Sequence, residues 1–522
     1  MPNPNPALKF QVQEGIYDAK SMLDETNFYH QRQGQPSELT RKLTYILGDY
    51  TKNYPISTMT VGGIGYNGGA MQKTAVELDD PQFTYPVMGR LKKASIVSSS
   101  AYSAGDKPGV GNSTFKIRFS DNWQKRYWFI QSARGVQAYL HDDGKLLSTG
   151  EYEYTAQLDG VGPADYCPLS ELQSGAAWIG VHTGVAESES RTTESKMALP
   201  GSYKNQMGFL RHGYSWAGNA ANKVMKIEVT KPGADGMPEI TSNVWMDYAM
   251  WQYEMEWLDM CENAYWYSRY NRQANGTIDL KDLLTGKIIP RGAGILEQIQ
   301  NKSTYSDLTY DYLTNQIGDA LFGQSDSAGM SITLFGGRGA ARAFHRAILK
   351  AGGTVLSSFG GAGDIGSKFV SGTGYNLALG GYFDAFYHID GYYIKFKHNP
   401  IFDLGSVAMA QQAGGYVHPE TGWPLESYRM VFIDDSDYDG QPNIQHVAQK
   451  GRSFLHGVIA GLTPMPRSLK ILGGFNVSSA DAAAAQLIST DVDKSAYTRF
   501  KSCGIQILRA NKCFDFQCIA GQ

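Results

Sequence analysis

Residues 361 to 366 read Gly361-Ala362-Gly363-Asp364-Ile365-Gly366, a literal match to the glycine fingerprint of dinucleotide sites. Its chemistry needs a strand before the motif and a helix N-terminus after it, so that backbone N–H groups point at a pyrophosphate. A strand fits at 354–359, but Gly372, Gly374, Gly380 and Gly381 break up any helix on the C-terminal side. The segment therefore reads as a glycine-rich surface loop, and no cofactor is expected. Gly336-Gly337-Arg338-Gly339 has the reverse character. It lies between a strand pattern and a helix pattern, yet it lacks the Gly-Lys-Ser/Thr ending of a phosphate loop. It reads as a tight strand-to-helix turn.

The other reactive residue types are equally sparse in pattern. The ten histidines are scattered, and no His or Cys pair has zinc spacing, so no metal site is expected. His388 and Asp390 share a strand face in an extended chain, as many structural pairs do. Asp434, Asp435 and Asp437 sit beside Gly440 and read as solvated turn acids rather than a cation site. Cys167, Cys261, Cys503, Cys513 and Cys518 are too few for a disulfide framework and read as buried free thiols. There is no Gly-x-Ser-x-Gly elbow. No catalytic residue is assigned, and the chain is not expected to be an enzyme.

Composition narrows the class further. Across 522 residues, 42% are hydrophobic and only 19% charged, with 59 glycines and 32 tyrosines. Low charge with many aromatics suits interface cores, and it also suits an ordinary β-rich protein. A formal net charge of −3 argues against a dedicated nucleic-acid binder. The clusters Arg90-Leu91-Lys92-Lys93 and Lys125-Arg126 read as solvated faces or subunit contacts. No secretory signal and no run of apolar residues long enough to span a membrane is expected, and five cysteines without a disulfide framework fit synthesis in a reducing cytoplasm.

The positioning elements can be read in chain order. Residues 1–75 read as an arm with too few apolar residues for a core of its own. Phe115, Ile117 and Phe119 alternate with Thr114, Lys116 and Arg118, and Tyr152, Tyr154, Ala156 and Leu158 alternate with Glu151, Glu153 and Gln157. With Val136–His141 and a turn at Asp142-Asp143-Gly144, these read as a long hairpin with little nearby sequence to cover it. Its apolar residues Phe115, Ile117, Phe119, Tyr139, Tyr152 and Tyr154 are therefore expected to contact neighbouring subunits. Residues 243–271 predict a long helix, capped by Ser242 or Asn243. One apolar face carries Val244, Tyr248, Trp251, Met255 and Leu258; a second carries Met246, Met250, Tyr253, Trp257 and Cys261. Beyond residue 305 the pattern mixes helices at 308–322, 340–350 and 480–488 with strands at 331–335, 392–397, 429–433 and 504–508. The class is α+β.

This order resembles the major capsid proteins of tailed bacteriophages, with the Hong-Kong-97-type fold. Gly111–Leu158 looks like the extended loop, the helix at 243–271 like the spine helix, and 285–296 (Thr-Gly-Lys-Ile-Ile-Pro-Arg-Gly-Ala-Gly-Ile-Leu) like the segment beyond that helix. Lys397-His398-Asn399-Pro400-Ile401-Phe402-Asp403 and His418-Pro419-Glu420-Thr421-Gly422 look like parts of the axial domain, and Tyr497–Phe516 like the closing strands. The phrases around 285–299 and 429–460 are most similar to coat proteins of crAss-like phages. The resemblance implies an arm (1–75), an extended loop (76–164), peripheral strands with a possible insertion (165–240), spine helix and peripheral domain (241–300), an axial domain (301–475) and closing strands (476–522). It implies a structural protein of the virion, made in the host bacterial cytoplasm. Its partners would be further copies in hexamers and pentamers, portal, scaffold and auxiliary head proteins, and packaged double-stranded DNA bound without sequence specificity. No set of Lys, Asn and Glu matches the cross-link of some relatives. Other readings of the same pattern are an encapsulin-like shell, a tail or adhesin protein, and an enzyme using the 361–366 loop.

Overall fold

The computed structural model describes residues 75–89, 93–159, 162–184, 186–187, 196–197, 199–218, 224–231, 240–322, 331–358, 385–388, 391–435, 437–438, 441–459 and 492–521. They fall into two compact units. One spans Thr84–Lys204, and the other comprises the described parts of 1–83 and 205–522. The expected arm, the 361–366 loop and the helix at 480–488 lie outside the described residues.

In the Thr84–Lys204 unit, apolar residues at every second position build strands that cover one another. The strands are β1 (Ser95–Ser99), β2 (Thr114–Phe119), β3 (Trp128–Ser132), β4 (Gln137–Leu140), β5 (Lys145–Leu146), β6 (Tyr152–Leu158) and β7 (Ala177–Thr183). Their order is β2–β1–β7–β3–β4–β6, all antiparallel, and β6 pairs back onto β2 from Thr114–Gln157 to Phe119–Tyr152. The sheet thus closes into a six-stranded barrel, with β5 appended to β6. Closure removes the open edges that would invite mispairing. The interior holds Val97, Phe115, Ile117, Phe119, Ile130, Leu140, Tyr154, Ala156 and Trp178, all buried.

This corrects two expectations. The 114–158 segment is not a lone hairpin awaiting cover, and Phe115, Ile117, Phe119 and Tyr154 are barrel interior rather than subunit contacts. The cover comes from β1 and β7, which flank the segment in sequence and pair with each other at Ser95–Trp178. Tyr154 Oη donates to Asn122 Oδ1 at 2.8 Å and to the Gln124 carbonyl at 3.0 Å. Tyr139 lies half-buried on the outer face, 5.0 Å from the Phe129 ring, and Tyr152 packs at the margin of the core.

The larger unit is organised around one helix. β8 (Gly208–Ala217) is followed by a ribbon of Val224–Lys231 and Ile240–Val244, which leads into α1 (Trp245–Tyr267). Ser242 and Asn243 therefore lie in a strand, and the helix starts later than expected. Met250, Tyr253, Trp257, Cys261 and Tyr265 are buried, whereas Tyr248, Trp251, Met255 and Leu258 are half-buried. Of the two apolar faces, the one through Tyr253 and Trp257 is the core face.

Beyond α1 come β9 (Asn301–Tyr305), α2 (Tyr310–Leu321), β10 (Ser331–Gly336), α3 (Arg338–Ser358), β11 (Tyr393–His398) and β12 (Met430–Asp434). The chain ends with β13 (Ile444–Gln449), β14 (Phe454–Ile459), β15 (Lys494–Ile507) and β16 (Phe514–Cys518). One sheet runs β9–β16–β12–β10–β11 and on to Ala385–Tyr387; α2 seats Leu313, Ile317 and Leu321 in its core. A second sheet joins Ala75–Leu78, β13, β15 and β8, with β14 also on β15. The α+β class holds. α3 runs through 354–358, where a strand was expected, and β16 joins the sheet of β9 and β12.

Phe119→Ala in the unassembled chain is expected to lower the stability of the barrel by ~3–5 kcal/mol, read as an earlier urea transition. A variant that unfolds like the parent would show that Phe119 is not interior.

Candidate functional site

The glycine turn between β10 and α3 is as expected, and side chains of the same chain meet the start of the helix that follows it. The Asp403 carboxylate occupies the N-terminus of α3, accepting from Arg338 N at 2.9 and 3.1 Å. Ser427 Oγ donates to Asp403 Oδ1 at 2.5 Å and accepts from Gly339 N at 3.0 Å. A Cβ on Gly337 would fall 2.7 Å from the Ser427 carbonyl oxygen, so the glycine is required by close approach. The helix dipole is thus answered from within the chain. His398 Nε2 lies 2.6 Å from Asp403 Oδ2. Ser427 and His398 therefore both face the acid and not each other, which is the wrong order for an activated nucleophile.

The remaining charged clusters are also internal. Arg429 donates to both oxygens of Asp515, at 2.8 and 2.7 Å, and to Glu426 at 2.9 Å; Tyr267 Oη donates to the same Glu426 oxygen at 2.8 Å. Asp434, expected as a solvated turn acid, is instead buried at the end of β12 and pairs with Arg509 at 3.2 Å. Against α1, Arg499 lies over the Tyr253 ring at 5.4 Å and Lys501 over Tyr265 at 5.1 Å. Aromatic faces thus receive two cations taken from water. All five cysteines are free and buried, as expected. Burial pushes Cys503 and Cys513 up to about 12, which holds them as unreactive thiols. Among the described residues, no group of three His, Cys, Asp or Glu side chains is placed to hold a metal ion.

The surface is more distinctive than the interior. Alternation along β8, β14 and β15 turns Tyr497, Arg499 and Lys501 toward α1, while Phe209, Leu455, Ile459 and Phe500 sit on the opposite, open face. Phe209 and Phe500 stack at 5.7 Å, and the Arg452 guanidinium lies 4.9 Å over Phe500. A cleft of about 780 Å³ runs across this face, walled at one side by Ile288 and Ile289.

That wall is one strand of a small hairpin. Lys281 pairs with Ile288, Ile289 N donates to the Leu280 carbonyl at 2.9 Å, and Asp282 N to the Lys287 carbonyl at 2.9 Å. Gly286 takes φ +66°, which closes the turn, and Asp282 Oδ2 accepts from Thr285 Oγ1 at 2.5 Å. This hairpin presents Leu283 and Leu284 at 101% and 95% exposure. Hydrogen bonds define it, so the leucines are displayed rather than merely loose. Sequence reasoning missed this feature, although two adjacent leucines between Asp282 and Gly286 were its signal.

Two of these internal groups give measurable consequences. Arg429→Ala would leave Asp515 buried without a counter-charge and is expected to cost ~3–5 kcal/mol, measured by denaturant unfolding. His446 is buried beside Lys501 with the Tyr265 ring edge-on at 5.8 Å; burial first and Lys501 second push its imidazole down to about 3. Unfolded, it takes up a proton near pH 6.5, so this stability is full above pH 6.5 and is lost as pH falls toward 3. The loss is at most ~1.4 kcal/mol per pH unit. His446→Leu should therefore narrow its stability difference from the parent, or overtake it, between pH 7 and 4.5 in urea titrations. A pH-independent difference would contradict the buried neutral imidazole.

Comparison with known proteins agrees with a chain whose notable features are structural. A major capsid protein of Bacteroides phage crAss001 is 27% identical over 294 residues, 52% of this chain and 56% of that protein. The matched segment thus spans little more than half the length of that relative. Among solved structures, the capsid of Myoviridae phage XM1 is similar with a TM-score of 0.27 at 7% identity, covering 83% of this chain and 95% of that one. Mycobacterium phage Patience gives 0.30 at 10%, covering 66% and 79%. The holo-SrpI encapsulin complex from Synechococcus elongatus PCC 7942 gives 0.28 at 8%, covering 62% and 76%. The model of the crassvirus major capsid protein family matches residues 6–499, nearly the whole sequence, and the chain belongs to that family of structural capsid proteins.

Proposed function

We propose that this chain is the repeating shell subunit of a tailed-phage head, assembling with copies of itself into hexamers and pentamers of an icosahedral capsid. The observation that carries this reading is the family match over residues 6–499. The open apolar face of β8, β14 and β15 agrees with it, because an exposed patch of this kind marks an interaction surface. Portal, scaffold and auxiliary head proteins would be its other partners in the virion. Double-stranded DNA would lie on the inner face, held without sequence specificity, in keeping with a formal net charge of −3. Synthesis would occur in the host bacterial cytoplasm. The arm at 1–75 would run across a neighbour, and the segments within 301–475 would meet at the capsomer centre. Tyr139, on the outer face of the barrel, and Tyr152, at its margin, would contact the adjacent subunit.

The test is electron microscopy of the expressed chain, alone and with co-expressed head proteins. Closed shells or six-membered rings are expected. A strictly monomeric species under every such condition would overturn the reading.

A further inference from the structure

Resting on the proposed self-assembly, we infer that α2 and α3 form a self-complementary surface, on which the acidic row of α2 in one copy meets the basic row of α3 in a second copy. Both helices pack on one sheet, α2 through Leu313 and Ile317 and α3 through Phe344 and Ile348. Their outer sides each carry charge of one sign. Arg338, Arg342, Arg346 and Lys350 recur at every fourth position of α3, all exposed, and no acid lies between residues 338 and 358. Asp311, Asn315 and Asp319 recur in the same way on α2, also exposed. Asp307 lies ahead of that helix, and no Lys or Arg lies between residues 307 and 321. The step along both helices is the same, about 6 Å.

These placements are not explained within one copy. Among the described residues, Asp311, Asp319 and Arg338 form no ion pair. Asp319 lies in the last turn of α2 and Arg338 in the first turn of α3, each at the end where its own helix dipole disfavours it. Arg342 lies over the Trp423 ring at 4.3 Å, and Arg346 reaches Glu420 at 3.4 Å with both side chains more than half exposed, a pairing that contributes little. The two signs together select the occupant. A polyanion such as duplex DNA would be drawn to α3 and repelled by α2 beside it. The stretches that adjoin these helices outside the described residues, 323–330 and 359–384, carry Asp326, Asp364, Lys368 and Asp384 as their charges, too few and too mixed to meet both rows. A second copy supplies both rows at the same spacing. Unlike rows can meet twice across a two-fold axis or once each in a head-to-tail ring, and in both the partner is another copy. Opposite charges so arranged set register and steer encounter.

Charge reversal decides this. Asp307→Lys/Asp311→Lys/Asp319→Lys makes both helices basic, and Arg338→Glu/Arg342→Glu/Arg346→Glu makes both acidic. Either variant alone should lose about tenfold or more of its assembled fraction, by size exclusion and electron microscopy. An equal mixture should regain it, with both variants in the same particles, because two basic rows then meet two acidic ones. The melting temperature of each unassembled variant should stay near the parent's, since these positions are exposed. Normal assembly of either variant alone overturns the inference, as does a loss that mixing does not restore. Loss confined to the α3 variant also overturns it, and would point to a polyanion or the 1–74 arm as the occupant. In each of these outcomes the unaltered chain still forms particles and the proposed function stands. Failure of the unaltered chain to self-associate at all would overturn both.

Discussion

The larger unit depends on the burial of one face of α1 against β15. Tyr253, Trp257, Cys261 and Tyr265 recur at intervals of four along the helix, and they meet Tyr497, Arg499, Lys501 and Cys503 on alternate positions of the strand. A helix period and a strand period thus converge on one contact. The contact is unusual because it includes two cations. Arg499 and Lys501 are almost fully buried, and taking such charges from water is costly unless something replaces hydration. Aromatic faces and the Tyr497 hydroxyl, which accepts from Arg499 Nε at 2.9 Å, do so here.

That contact also explains the open face. A strand buried on one side by α1 must show its alternate residues on the other side, and along β15 those include Thr498 and Phe500. Sheets packed on one side usually present polar residues to water. Here Phe209, Leu455 and Ile459 accompany them instead. The departure from the usual alternation leaves an open apolar patch, the kind of surface that marks an interaction site.

Much of this was legible in the sequence, though unevenly. The side assignments along β2 and β6 are correct: Phe115, Ile117 and Phe119 share a face, and so do Tyr154, Ala156 and Leu158. What periodicity could not supply was the identity of the covering surface. Ser95 pairs with Trp178 across a long stretch of sequence, and no local pattern encodes that closure. The same limit hid the place of β16, which pairs with β9 and β12 from distant parts of the sequence. The Asp434 error has a different origin. A run of acids near glycine resembles a solvated turn, whereas the pairing with Arg509, distant in sequence, accompanies burial here. The Gly336–Gly339 turn was read correctly as a strand-to-helix turn, although Asp403 and Ser427, which hold it, come from far along the chain, and the open apolar face likewise joins β8, β14, β15 and the hairpin from four separate stretches.

The self-covered barrel changes how assembly must work. Had 114–158 been a bare ribbon, subunits would have had to fold onto one another, and each association would carry the ordering entropy of that ribbon. A closed barrel has already met that cost within one chain, as has the hydrogen-bonded hairpin. Contacts between copies that use these parts would join surfaces shaped before they meet, which lowers the ordering cost of association. Modest interfaces are what a closed shell requires, because misplaced copies must dissociate before the structure closes. The fold therefore places interactions such as Arg499 over the Tyr253 ring and Phe119 within the barrel inside each unit, where they are made before one copy meets another.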